Sequence, residues 1–319
     1  MRLQLLLLSV ALATSAHAAK ISPDSVTTAN GQRSFLLAQP DRGPAGPRPL
    51  VLVLHGHGGS AAQAMGQKAG ASPLAAWLPI ADREGIYIAA LDGSKAGDGK
   101  AGWNDCRRDA PGNPPVDDVA FAREVVQKLV AAGRVDPQRV YAMGMSNGAM
   151  MTYRLAQELA PPLAGFVAVS GLMASDNGCA PPRQPPQRIP AMVITGTEDP
   201  LVPYNGGQVS FGKAQRGGVL GAEATAQALR RMNQNTAPAQ RTVFGVAQQR
   251  DSSWVERLDF GAANEPGRVA LLTVHGGGHI EPSISQPYRR FYERLVGRQN
   301  HDLESAEVAW RFFSGQPAQ

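Results

Sequence analysis

The chain has 319 residues, 43% of them hydrophobic and 18% charged, with a formal net charge of +5 and two cysteines. These figures exclude a collagen-like, disulfide-packed or charge-disordered chain and leave an ordinary globular protein. The 31 Lys and Arg residues are scattered rather than clustered, so the positive excess reads as solvated surface and no nucleic-acid partner is expected.

Met1 to Ala18 has a cationic start at Arg2, an apolar core from Leu3 to Ala13 and an Ala16-His17-Ala18 ending. That layout predicts a secretory signal over residues 1–18, cut before Ala19, with residues 19–319 forming one domain. Neither this stretch nor any later apolar run is long enough to span a bilayer, so no membrane partner is expected. The mature protein is expected to be a periplasmic or secreted monomer. Export would carry Cys106 and Cys179 into an oxidising compartment where pairing is the default. Both lie in loops rich in Gly and Pro, which suits a staple better than a redox pair or metal site.

Strand candidates at Ser25 to Thr28 and Ser34 to Leu37 lead into Leu50 to Leu54, an aliphatic run suited to a strand buried on both faces of a parallel sheet. It ends in His55-Gly56-His57-Gly58-Gly59-Ser60, whose glycines let backbone N–H groups face the crevice at the carboxyl edge of such a sheet. Ala61 to Leu78 reads as helix, broken near Ser72-Pro73, and Gly85 to Leu91 as the next buried strand. The loop from Asp92 to Val116 has no regular pattern, and that length favours a functional role; its Trp103 is expected on a pocket rim. Asp117 and Asp118 cap a helix with a core-facing stripe of Val119, Val125, Val126, Leu129 and Val130. Asp136-Pro137 introduces a strand, Val140 to Met143, which breaks at Gly144-Met145-Ser146-Asn147-Gly148 before an amphipathic helix, Ala149 to Leu159. Strands at Gly165 to Ser170 and Ala191 to Thr195, a helix at Ala222 to Met232, strands at Trp254 to Phe260 and Val269 to Val274, and a helix at Glu304 to Phe313 complete the chain. Strands alternate with helices throughout, so the fold class is α/β around a mostly parallel sheet flanked by helices.

A Gly-x-Ser-x-Gly between strand and helix holds its central residue in a strained conformation and needs small neighbours, which Gly144 and Gly148 supply. Ser146 is thereby lifted to a helix N-terminus, where N–H groups favour negative charge. A hydroxyl attacking at neutral pH needs a base to take its proton and a carboxylate to orient that base. Asp199, four residues past the strand AMVIT, and His279, behind a triple glycine, follow Ser146 in the order Ser, acid, His. The backbone N–H groups of His57 and Asn147 are the candidate oxyanion donors. Asp176 and Asp259 are alternative acids, and His275 is the alternative base. His55, His57, His275 and His279 lack the spacing of a helical zinc motif and a suitably placed acidic ligand, so neither metal nor cofactor is expected.

The phrases PLVLVLHGHGGSA, GWND, GNPPVDDVAFAREVV, VDPQRVYAMGMSNGAMMTYRLA, ITGTEDPLVPYNGG, GGGH and ESAEVAWRFF resemble the secreted polyhydroxybutyrate depolymerase and feruloyl-esterase-like α/β hydrolases, over about residues 22 to 314. The resemblance implies an α/β-hydrolase fold and a cofactor-independent serine carboxylesterase, with Ser146, Asp199 and His279 as its triad. Its NDC and GCAPP stretches are similar to cysteine-bearing loops of relatives, which supports a Cys106–Cys179 bridge. Relatives usually carry Trp two residues after the catalytic His and then Pro; here the run is His279-Ile280-Glu281-Pro282. A carboxylate thus replaces an aromatic wall, and Glu281 is a candidate substrate contact. The expected substrate is a small or oligomeric ester; hydroxyalkanoate, feruloyl, acetyl and aryl esters all fit. A serine peptidase or acyltransferase on the same fold, and a catalytically silent binder of a cell-wall polymer, are the competing readings.

Overall fold

A computed structural model describes residues 19–180, 187–212, 214–244 and 253–316; the expected signal segment, 1–18, lies outside them. The chain opens with β1 (Lys20–Thr28) and β2 (Gly31–Gln39), then runs through β3 (Arg48–Leu54), α1 (Ala61–Ala64), α2 (Trp77–Glu84) and β4 (Tyr87–Leu91). The short strands β5 (Ser94–Lys95) and β6 (Ala101–Gly102) precede α3 (Asp118–Ala131), β7 (Val135–Met145), α4 (Asn147–Glu158), β8 (Gly165–Val169) and β9 (Ala191–Gly196). There follow β10 (Gly207–Phe211), β11 (Ala214–Val219), α5 (Ala222–Met232), β12 (Ala239–Phe244), β13 (Trp254–Phe260), β14 (Val269–His275), α6 (Arg290–Val296) and α7 (Ser305–Phe313).

Ten strands make one sheet in the order β1-β2-β4-β3-β7-β8-β9-β14-β13-β12. From β4 to β14 every neighbouring pair is parallel, and antiparallel strands finish both edges. Strand β3 shows why the sheet is the core. Leu50, Leu52 and Leu54 face one apolar cluster while Val51 and Val53 face the other, as a period of two requires. The first cluster takes Phe121, Val125 and Leu129 from α3 and Met151 and Leu155 from α4; the second takes Trp77 and Ile80 from α2 and Trp310 from α7. Helices thus cover both faces, the expected α/β arrangement. Because the central strands are parallel, β3, β7, β9 and β14 present their carboxyl ends along one edge, and the loops that follow them meet there.

The departures from expectation have local causes. The helix read over Ala61 to Leu78 is split: α1 stops at Ala64, just before Gly66 at φ 67, and the chain resumes as a 3-10 turn at Pro73–Ala76 that Pro73 begins; α2 then runs on to Glu84 and stops at Gly85 with φ 67. Asp117 caps α3 by accepting the Ala120 N–H at 2.8 Å, whereas Asp118 is buried in an ion pair with Arg33 at 2.8 Å. Strand β7 starts at Val135, taking in Pro137, and its pairing with β3 shifts register between Arg48 and Leu50. Strands β10, β11 and β12 lack an apolar alternation, and β12 is an edge strand exposed over its first four residues.

Candidate active site

Strand β7 passes into α4 with no linker. Ser146 stands between them at φ 56, ψ −121, a conformation that residues with a Cβ avoid. It is pinned from both sides: its N–H donates to the Val169 carbonyl at 2.8 Å, and its carbonyl accepts from the Met150 N–H at 3.0 Å. A Cβ on Gly144 would collide with the backbone of Gly148, and one on Gly148 would collide with the carbonyls of Leu54 and His55. The Gly-x-Ser-x-Gly spacing is therefore a packing requirement that lets α4 lie hard against β3.

Three loops then meet. The Ser146 hydroxyl donates to Nε2 of His279 at 2.9 Å, and Nδ1 of His279 donates to Oδ2 of Asp199 at 2.8 Å. The carboxylate holds the proton on Nδ1 and leaves Nε2 to accept. The other oxygen of Asp199 accepts the N–H groups of Leu201 and Val202, each at 2.8 Å, so the loop after β9 aims its own acid. Asp199 and His279 are both buried. His279 is placed by its backbone: its N–H donates to the Val296 carbonyl at 2.5 Å, and that of Gly278 to the Arg298 carbonyl at 2.9 Å. A side chain on Gly278 would strike Val296 and Gly297, so the triple glycine serves close approach. The alternatives are engaged elsewhere. His275 stacks on Trp254 with centroids 3.8 Å apart, Asp259 pairs with Arg257 at 2.6 Å, and Asp176 lies 3.6 Å from Arg108.

The loop after β3 is stiffened by its first histidine. Nε2 of His55 accepts the Gly93 N–H at 3.0 Å, so Nδ1 carries the proton and donates to the Gly56 carbonyl at 2.7 Å; burial lowers the pKa of the ring and keeps it neutral. Gly56 runs beside Ser146: a Cβ built there would lie 3.4 Å from that of the serine. The next residue, His57, bonds through Nε2 to Asp98 at 2.8 Å, and Asp98 also pairs with Arg216 at 3.1 Å. Among the described residues, the backbone N–H groups of His57 and Asn147 meet no acceptor.

Trp103 requires a correction. It is not on a rim but fully buried, its indole N–H donating to the His55 carbonyl at 2.8 Å and its backbone N–H to Oδ1 of Asn147 at 2.7 Å. It braces from below the two loops that flank Ser146. The Asn147 side chain returns bonds to the Trp103 carbonyl at 3.1 Å and to Asp105 at 2.7 Å. Cys106, next in sequence, is disulfide-bonded to Cys179 with Cα atoms 4.8 Å apart, as expected. The bridge therefore secures a loop that in turn holds the start of α4. Sequence reasoning missed this Asp105–Asn147 link and the Asp98–His57–Arg216 group, since neither has a motif.

Ser146 and His279 open onto a cleft of about 390 Å³. Glu281, the expected substrate contact, lines it while remaining only 4% exposed. Burial pushes its carboxyl up to about 6, against the opposing pull of its own backbone N–H, of His279 and of the Tyr288 hydroxyl, while Glu304 adds to the rise.

A hydroxyl, imidazole and carboxylate bonded in series at the carboxyl edge of a mostly parallel sheet, with a strained strand-to-helix turn beneath, define an α/β hydrolase. The comparisons narrow the class. Residues 43–215 match the phospholipase/carboxylesterase family, to which the chain belongs. It is 33% identical over 299 residues to NocK of Nocardia uniformis subsp. tsuyamanensis, a protein assigned as an esterase, covering 91% of this chain and 81% of that one. Against feruloyl esterase B of Piromyces equi it is 30% identical over 240 residues, covering 73% of this chain and 40% of that much longer one. A solved thermostable esterase superposes with a TM-score of 0.44 at 18% identity, over 67% of this chain and 52% of that chain. The family is one of carboxylic-ester hydrolases, in line with the resemblance, and lends no support to the peptidase or silent-binder readings.

The Glu281 environment generates a stability prediction. Its folded-state pKa of about 6 lies above the ordinary 4.5, so the native protein binds this proton more tightly than the unfolded chain. No penalty exists below pH 4.5, and stability is lost as pH rises through that window, by about 2 kcal/mol once ionisation is complete. Urea unfolding of Glu281→Gln is expected to show a gain of about that size over the parent protein at pH 8, vanishing at pH 4.

Proposed function

We propose that this protein is an exported serine carboxylesterase that cleaves small or oligomeric esters through an acyl-enzyme. The observation that carries the reading is the unbroken series from Ser146 through His279 to Asp199, with links of 2.9 and 2.8 Å. As the Ser146 oxygen bonds to the ester carbonyl carbon, Nε2 of His279 takes its proton and Asp199 stabilises the imidazolium. The N–H groups of His57 and Asn147 hold the carbonyl oxygen as it becomes an oxyanion. Collapse breaks the bond to the alcohol, which leaves with the proton from His279. Water then attacks the acyl-enzyme by the same steps, releasing the acid and restoring Ser146. The strained φ at Ser146 is set by folding and keeps the hydroxyl in an attacking position without reorganisation during turnover.

The cleft is sized for a small ester or the end of an oligomer, and the likeness to a feruloyl esterase of Piromyces equi supports feruloyl esters within that range. The enzyme acts as a monomer and needs neither nucleic acid nor a membrane. Two features support export: the signal layout of Met1 to Ala18 and the Cys106–Cys179 bond, which persists in oxidising compartments.

Ser146→Ala should lower kcat on p-nitrophenyl butyrate by at least about 10^4-fold while leaving the unfolding transition in place; retained turnover would remove the nucleophile from the scheme. Amino-terminal sequencing of protein recovered from outside the cytoplasm of an expressing bacterium should begin at Ala19. A chain that stays in the cytoplasm with its first residues intact would contradict export.

A further inference from the structure

The proposed hydrolysis gives Glu281 no step, yet its carboxylate is buried two residues beyond His279. The groups that act most strongly on its charge are its own backbone N–H, His279, the Tyr288 hydroxyl and the carboxylate of Glu304. Among the described residues, none of the Lys and Arg ion pairs includes it. Buried charges normally have a counter-ion. Glu281 nonetheless opens onto the same cleft as Ser146, where a counter-ion could arrive with a substrate.

The surroundings specify what kind of cation fits. Tyr288 and Tyr292 line the cleft beside Glu281, with their rings stacked at a centroid distance of 4.8 Å and an interplanar angle of 24°. Aromatic faces next to a carboxylate attract a weakly hydrated cation through their quadrupoles, and they shelter its alkyl groups as well. Lys100 and Arg216 also line the cleft, around Phe211 and the His57–Asp98 pair. Arg216 is paired there with Asp98 at 3.1 Å, so the positive charge left over on that side is that of Lys100, which makes it less favourable for a cation than the side of Glu281.

We infer that the cleft selects carboxylic esters bearing an alkylammonium group, which is held against Glu281, Tyr288 and Tyr292 while the ester carbonyl reaches Ser146. The inference rests on the proposed hydrolysis at Ser146 and names the substrate class for that site. Seating the cation gives the Glu281 carboxylate a positive partner from the substrate, so its burial is offset when substrate binds.

The test compares two esters of equal shape, butyrylcholine and its uncharged carbon isostere 3,3-dimethylbutyl butyrate, by pH-stat titration. The parent enzyme should prefer the cationic ester in kcat/KM by at least about tenfold, and Glu281→Gln should abolish that preference by raising KM for the cationic ester. An equal rate on both esters in the parent, or a preference that survives Glu281→Gln, would overturn the inference; the second result is expected if Glu281 acts only through His279, because both esters then slow together. Calorimetric binding of the same esters to Ser146→Ala separates this from the hydrolytic reading. Tighter binding of the cationic ester by about tenfold, lost on adding Glu281→Gln, supports the cation site even if the parent cleaves neither ester. Equal binding of the two contradicts the site even if both are cleaved.

Discussion

The positive φ of Ser146 is the constraint on which the carboxyl edge of the sheet depends. A residue with a Cβ takes that conformation only when its surroundings leave no alternative. Here Val169 on β8 holds its N–H and the first turn of α4 holds its carbonyl. The glycines at 144 and 148 let the helix close onto β3, which brings the His55–Ser60 loop against Ser146. The same turn starts α4 with Asn147, whose side chain ties down Trp103 and Asp105 and so connects the site to the disulfide at Cys106. Strain in one residue is thus spread over β3, β7, β8 and the long loop after β4.

The parts of the site that could be read from the sequence are those in which chemistry and local backbone coincide. Ser146, Asp199 and His279 each follow a buried strand, and each has a short sequence reason to leave the sheet: paired glycines, a Pro-stiffened turn and a triple glycine. Their order along the chain was enough to group them. Trp103 was misplaced because a tryptophan in a long polar loop looks exposed, and only the fold shows His55 and Asn147 closing over it. The β10–β11 pair, β12 and α6 escaped notice because they lie at edges, where apolar periodicity is weak and polar or Arg-rich composition dominates. Glu281 stood out as a departure from the family pattern, but its partner Tyr288 could not be foreseen, because that contact depends on how the segment before α6 folds back.

The cleft is electrostatically uneven. Lys100 lies over Phe211 and Arg216 is paired with Asp98, whereas Glu281 lies beside two tyrosines, and Ser146 opens onto the same cleft. Keeping Glu281 ionised costs the native state free energy that a Gln or an aromatic residue would not. A residue that weakens the fold while lining the reactive cleft is a mark of function, since local consistency is given up where binding or catalysis requires it. The same contrast is visible at Ser146, where backbone strain accompanies the proposed nucleophile.

The central claim is that Ser146 is made reactive by His279 and by no other base. Its most direct measurement is peptide mapping after a brief exposure to a fluorophosphonate, in the parent protein, His279→Ala and His275→Ala. The account predicts a single adduct on the peptide containing Ser146, present in the parent and His275→Ala and absent from His279→Ala. An adduct on another residue, or labelling of Ser146 that persists without His279 and disappears without His275, would contradict it.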